Sequence, residues 1–196
     1  DEVVDYVLEG TIATEDERFY EHGGIDPIGI ARAVIVNAAS RGASEGASTI
    51  TQQLVRNTIL SEEQFDQTIE RKVREAFIAM EMEKIFSKDE ILMMYLNTIY
   101  YGHGAYGIQA ASKTYLSKND SELTLAEAAL LIGLPNSPSY YDPTVNPDVA
   151  VDRRNKVLGN MLRIGTISQD EYDAAVAEPL ALNVTETSDT GISVYA

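Results

Sequence analysis

Apolar positions recur at helical spacing along most of this chain. Runs with a period near 3.6 residues cover 65–86, 91–100, 125–132 and 172–177. Each is preceded by a start signal. Ser61 with Gln64, Ser87 with Glu90, Thr124 with Glu127, and Ser168 with Glu171 stand at capping-box spacing. In that box the first side chain accepts from one free helix N–H, and the second reaches back to the capping residue's own N–H. Gly133 and Pro135 close the third run, and Pro179 lies just past the fourth. Strand-type signals are short and weak, confined to 3–8 and 180–184. The pattern predicts a mainly α fold without internal repeats. A polar stretch at 185–191, Thr-Glu-Thr-Ser-Asp-Thr-Gly, reads as a linker.

One segment departs from the soluble pattern. Residues 27–39 read PIGIARAVIVNAA, with Arg32 and Asn37 as the polar members. The run is too short to span a bilayer. It predicts either a core helix or an apolar surface that dips into a membrane interface. The Gly- and Ser-rich residues 40–46 that follow predict a mobile loop.

Composition narrows the function. The 196 residues, 44% hydrophobic and 23% charged, are enough for a domain with a sizeable core. The net charge is −16, from 31 acids against 15 Lys and Arg, which argues against nucleic acid as a partner. The few cations are clustered, at Arg71, Lys72 and Arg74 and again at Arg153, Arg154 and Lys156. With no cysteine there is no disulfide and no thiol chemistry. The abrupt ends, with no initiator Met, predict a piece cut from a longer protein.

Three stretches carry candidate chemistry. The first is TEDERFYEHG at 14–23, where Glu15, Asp16, Glu17 and Glu21 crowd around Phe19 and Tyr20. A carboxylate beside apolar surface has its pKa raised toward the range useful for acid–base work. By itself the segment also fits a solvated helix end. The second is GASTITQQLVRN at 46–57. Ser48 or Thr49 would cap a helix whose free N–H groups favour an anion. Gln52 and Arg56 would share a face, with Gln53 beside them, as would suit phosphate or sugar oxygens. A capped helix with a polar outer face fits equally. The third is Arg71-Lys72-Val73-Arg74-Glu75, either a surface ion pair or a second acid held ionised by cations. Two carboxylates in one cleft are the usual equipment of glycosidic chemistry.

Together these stretches resemble the glycosyltransferase family 51 domain, the peptidoglycan polymerase module of class A penicillin-binding proteins and monofunctional transglycosylases. Five motifs occur in the family's order. They are Glu15-Asp16 to Phe19, His22 and Gly24 (or Gly23); Gly46 to Gln53; Arg71-Lys72 to Glu75; Lys88 to Ile91-Leu92 and Tyr95-Leu96-Asn97; and Gly102 to Gly107-Ile108, Ala110-Ala111, Tyr115 and Lys118. The likeness continues through 125–129, Leu134-Pro135 and Arg153-Arg154-Asn155. Three positions depart from it. Ala47 replaces a glycine, Met93 an acid, and Arg56 a common lysine, keeping the charge but changing the donor geometry.

The resemblance implies a lysozyme-like helical lobe with a smaller membrane-facing jaw lobe, about 24–60, inside a domain at 1–184. It implies polymerisation of lipid II into β-1,4-linked glycan by inversion, with undecaprenyl-pyrophosphate leaving. Glu15 would be the general base on the acceptor 4-hydroxyl and Glu75 the second acid. Gln52, Gln53, Arg56 and either Arg71 or Lys72 would meet the pyrophosphate. Asp16, Phe19, His22, Ser48, Thr49 and Asn97 complete the implied substrate-binding set, with His22 shaping the first motif. No metal-ligand spacing demands a cofactor, although Glu75 could orient the cations or hold Mg²⁺ or Mn²⁺. Lone His103 and the tyrosines at 100, 101 and 106 are expected to be structural or groove wall. The implied partners are lipid II, the growing glycan, the membrane surface and other cell-wall synthesis proteins. The implied location is the extracytoplasmic face of the bacterial plasma membrane. An upstream transmembrane helix would anchor the chain, and a transpeptidase domain would follow 185–196. Two rivals share these features: a lysozyme-like hydrolase or lytic transglycosylase, for which the cations are superfluous, and a non-catalytic cell-wall-binding scaffold.

Overall fold

A computed structural model describes residues 2–39 and 46–184. Among them the chain forms nine α-helices: α1 (Glu2–Glu15), α2 (Pro27–Ala39), α3 (Ile50–Asn57), α4 (Ile69–Ile85), α5 (Lys88–Thr98), α6 (Ile108–Leu116), α7 (Leu125–Ile132), α8 (Pro147–Ile164) and α9 (Gln169–Ala177). The mainly α expectation holds. The β pairing found among the described residues is an isolated bridge between Tyr100 and Tyr106. Neither expected strand forms. Residues 3–8 lie inside α1, and 180–184 run extended, tied to the end of α6 by Asn183 N–H to Tyr115 O (2.9 Å) and Ser117 Oγ to Asn183 O (2.8 Å).

Three of the expected capping boxes close as predicted, at Ser87, Thr124 and Ser168. The fourth does not start a long helix. Ser61 opens a 3-10 turn, Ser61–Glu63, and Gln64 Nε2 donates to the Ser61 carbonyl instead of accepting from its N–H. The long helix begins at Ile69, where Thr68 caps the Arg71 N–H. Phe65 and Ile69 are both strongly exposed, so no core contact extends the helix backward.

Two large apolar clusters hold most of the helices together, and a small third one, Val55, Leu60 and Ala79, lies between α3 and α4. Of the large pair, one gathers Tyr95, Tyr101, Tyr115, Leu131 and Phe19, and the other joins α1, α7, α8 and α9 through Ala13, Ala129, Val157, Leu158, Met161 and Ala175. Gly10 makes the α1 approach possible, since a Cβ there would sit 2.7 Å from Ile132 Cδ1 and 3.0 Å from Met161 Sδ. This packing fixes the last turn of α1, which ends on Glu15.

Helix α2 lies on the surface instead of in the core. Asp26 caps its first turn through Ile28 N–H (3.1 Å), and Pro27 occupies the first position. Ala33 is buried, but Ile28, Ile30, Val34, Ile35 and Val36 are exposed, Val34 at 64% and Ile35 at 70%. Among the described residues no helix is long and apolar enough to cross a membrane. The loop expected at 40–46 lies, apart from Gly46, outside the described residues, as does the linker expected at 185–191.

Candidate active site

The end of α1, the inner edge of α2, the start of α3, the loop at 135–141 and one face of α8 surround a cleft of about 750 Å³. Glu15 stands in its wall. The Glu15 Oε2 accepts from Gln53 Nε2 at 3.1 Å. Its Oε1 is buried with no hydrogen-bond partner, and Arg153 Nη2 lies 3.8 Å away. Burial pushes the Glu15 pKa above the ordinary carboxyl range and Asp16 adds to it. The Gln53 bond, Arg153 and Arg56 act in the opposite sense. A buried carboxylate with one oxygen open is equipped to take a proton.

Asp16 does a different job. Its Oδ2 accepts from His22 Nε2 (2.8 Å) and from the Ile50 N–H (3.0 Å), so the acid occupies the N-terminus of α3. Gly24 N–H donates to His22 Nδ1 at 3.2 Å, which places the ring proton on Nε2, facing Asp16. Gly24 has φ +101°, and a Cβ on it would lie 2.8 Å from the Ala79 backbone, whereas Gly23 has open space around it. Gly24 is therefore the glycine the first motif needs.

The α3 N–H groups expected to hold an anion are largely satisfied from within. Thr49 caps the Gln52 N–H at 3.0 Å, Gln52 Oε1 accepts from Thr49 N–H at 3.1 Å, and Thr49 Oγ1 donates to the Gly24 carbonyl at 2.7 Å. Gln52 is thus a buried capping residue, and its neighbour Gln53 reaches the cleft.

Glu75 is fully buried beneath a group of cations. Arg71 donates to its Oε2, Lys72 Nζ to its Oε1 at 2.7 Å, and Arg56 Nη1 lies 3.9 Å off. Arg71 is anchored on the Asp66 carbonyl and Lys72 on Ser48 Oγ (2.7 Å). With both oxygens committed to cations, Glu75 does not suit a divalent ion. No group of three or more His, Asp or Glu among the described residues could hold one.

Of the residues singled out from sequence, Glu15, Asp16, Ser48, Thr49, Gln53 and Arg56 line the cleft. Glu75, Arg71 and Gln52 are buried and do not line it, and neither does the half-exposed Lys72. Phe19 and His22 form its backing, with Phe19 in the core and Lys88 Nζ 4.5 Å from its ring centre. Asn97 is exposed and not part of the cleft. A further acid of the same segment, Glu17, also lines the cleft and accepts from Arg163 Nη1 at 3.1 Å.

The second cation cluster of the sequence, to which sequence reasoning assigns no place in the site, supplies cleft residues from α8. Arg153, Lys156, Asn160 and Arg163 all line the cleft, at i, i+3, i+7 and i+10. That spacing is one helix face and was readable in the sequence. Arg154, expected in the same basic cluster, points away and donates to the Glu178 and Val176 carbonyls at the end of α9. Arg153 is held by the Gly133 carbonyl (Nε to O, 3.2 Å) and by the Tyr141 ring, 5.1 Å from its guanidinium carbon.

Comparison with known proteins identifies the family. A family model described as Transglycosylase matches residues 1–162. Penicillin-binding protein 1A of Haemophilus influenzae is 51% identical over 174 residues, 89% of this chain and 20% of that protein. Penicillin-binding protein 1A of Escherichia coli is 48% identical over 183 residues, 93% of this chain and 21% of that one. The chain thus spans about a fifth of the length of these relatives. A candidate transglycosylase of Cupriavidus necator is 49% identical over 171 residues, and there the match covers 72% of the relative. With a family match over residues 1–162 and a 49% identical relative covered to 72% of its length, this chain belongs to the transglycosylase family.

Proposed function

We propose that the domain is a peptidoglycan glycosyltransferase that polymerises lipid II into β-1,4-linked glycan. The observation that carries this reading is the buried Glu15, one oxygen held by Gln53 and the other without a hydrogen-bond partner, in the wall of a cleft lined by six Arg and Lys side chains. A sugar 4-hydroxyl is a poor nucleophile at neutral pH and needs a base in hydrogen-bond reach. Glu15 Oε1 takes that proton as the acceptor oxygen attacks the anomeric carbon of the growing chain from the face opposite the leaving group. The C1–O bond to undecaprenyl-pyrophosphate breaks with inversion, and its electron pair leaves with the pyrophosphate. Arg56 at the cleft, backed by Lys72 through Ser48 and by Arg71, meets that developing charge. Glu75 acts as the counter-ion that lets these cations pack together.

The exposed apolar face of α2 supports a membrane-facing jaw lobe, about 24–60, and an extracytoplasmic position beside the lipid substrate. Asp at Ile30 or Val34 should weaken binding to phospholipid vesicles, while unchanged binding in flotation assays would rule this face out. The chemical reading is tested by incubating the chain with labelled lipid II. Lengthening polymer supports it, shortened glycan from a preformed strand makes the domain a hydrolase, and neither product leaves a scaffold.

A further inference from the structure

Gln53 joins two groups with opposite demands. Its Nε2 donates to Glu15 Oε2 at 3.1 Å, and its Oε1 accepts from Tyr95 OH at 3.1 Å. An ionised carboxylate only accepts hydrogen bonds, so it requires the N–H end of the amide. Tyr95 is almost fully buried in the core, and its hydroxyl has no other acceptor among the described residues. Burial pushes its pKa well above the ordinary phenol value, with Glu15 adding to the rise, so it remains a donor. The reversed amide would turn its carbonyl toward Glu15, which suits a protonated carboxyl, and would leave the phenol proton without an acceptor.

We propose that Tyr95 is a positioning residue for the base: its hydroxyl holds the Gln53 amide in the orientation that keeps Glu15 ionised and leaves its Oε1 unpaired. The inference rests on the reading of Glu15 as general base. Tyr95 lies on α5 and contributes nothing to the cleft surface. The charged and titratable groups facing Glu15 are Asp16 at the end of α1, Arg56 on α3, Tyr95 on α5, Tyr101 in the turn after α5, and Arg153 on α8. Tyr95→Phe leaves every other member of this set in place.

The test is the pH dependence of lipid II polymerisation by Tyr95→Phe, from about pH 5.5 to about pH 9. The acid limb of kcat/KM should move upward by roughly one pH unit, an activity about tenfold lower on the acid side. On the alkaline plateau the variant should match the wild type, with KM unchanged. The same upward move should appear without turnover in ¹³C titration of the Glu15 carboxyl, identified by its loss in Glu15→Gln. Adding Tyr95→Phe to Gln53→Met should cost nothing further, because the hydroxyl then has no amide to orient. An unmoved acid limb, a loss uniform across pH, or additive losses in the double variant each overturn the proposal. Failure of the wild type to polymerise overturns the reading of Glu15 itself. A polymerising wild type, a dead Glu15→Gln and an unmoved acid limb in Tyr95→Phe would overturn the positioning role alone.

Discussion

Two buried carboxylates stand in or behind one wall of the cleft, and they are opposites. Glu75 has its oxygens taken by Arg71 and Lys72, with Arg56 close by, and no route to the cleft. Glu15 has one amide bond, one open oxygen and one guanidinium at 3.8 Å. Burial does not by itself make a base. A saturated carboxylate is an anchor for cations, while a half-satisfied one facing a cavity has its pKa raised and an oxygen free to act. The molecule uses the first to assemble positive charge and the second to receive a proton.

The largest effect expected from this contrast is on turnover. Glu15→Gln should lower polymerisation by about 10³-fold, within the range for loss of a general base, with the fold intact by circular dichroism. Glu75→Gln should act first on stability, by about 3 kcal/mol, because it leaves Arg71 buried without its counter-charge. Thermal melting measures this. A Glu75→Gln domain as stable as wild type but as inactive as Glu15→Gln would erase the distinction and move Glu75 into the chemistry.

Arg153→Met sharpens the comparison from the other side. It removes the cation beside the open oxygen while keeping a side chain of similar reach. The pH at which polymerisation is half its plateau should rise, because a lowering influence on the Glu15 pKa is gone. The smallest effect expected is on stability against pH. The Glu15 pKa is raised in the folded state, so between its unfolded and folded values the native state binds more protons and stability falls as pH rises. Glu15→Gln should therefore melt slightly above wild type at neutral pH, with the gap closing as pH falls to the ordinary carboxyl range. A gap that widened on acidification would reverse the sign assigned to burial.

What was legible in the sequence was mainly local. The capping boxes at Ser87, Thr124 and Ser168 bring together groups three residues apart, so no distant partner decides them. Residues 3–8 were misread because Val3 and Val4 favour strand, while the helix they join is stabilised by packing of Gly10 and Ala13 on α7 and α8. In the site, the choice between Gln52 and Gln53 had a readable answer. Thr49 and Gln52 also stand at capping-box spacing, which commits Gln52 to its own helix and leaves Gln53 for the cleft. The α8 face was written in the spacing of Arg153, Lys156, Asn160 and Arg163. That it faces Glu15 is set by the α1–α8 packing, which no local pattern encodes. The unpaired Oε1 of Glu15 could not have been read at all, since it depends on which donors the tertiary packing leaves out of its reach.

Helix α2 puts Gly29, Arg32 and Ala33 on the cleft while Val34 and Ile35 face outward. On the reading proposed above, one element is both a wall of the reaction chamber and its mooring to lipid. Rate should then follow how crowded the substrate is within the plane of the bilayer, not how much is present per litre. Spreading a fixed amount of lipid II over more inert phospholipid should slow the enzyme, although nothing in the bulk solution has changed.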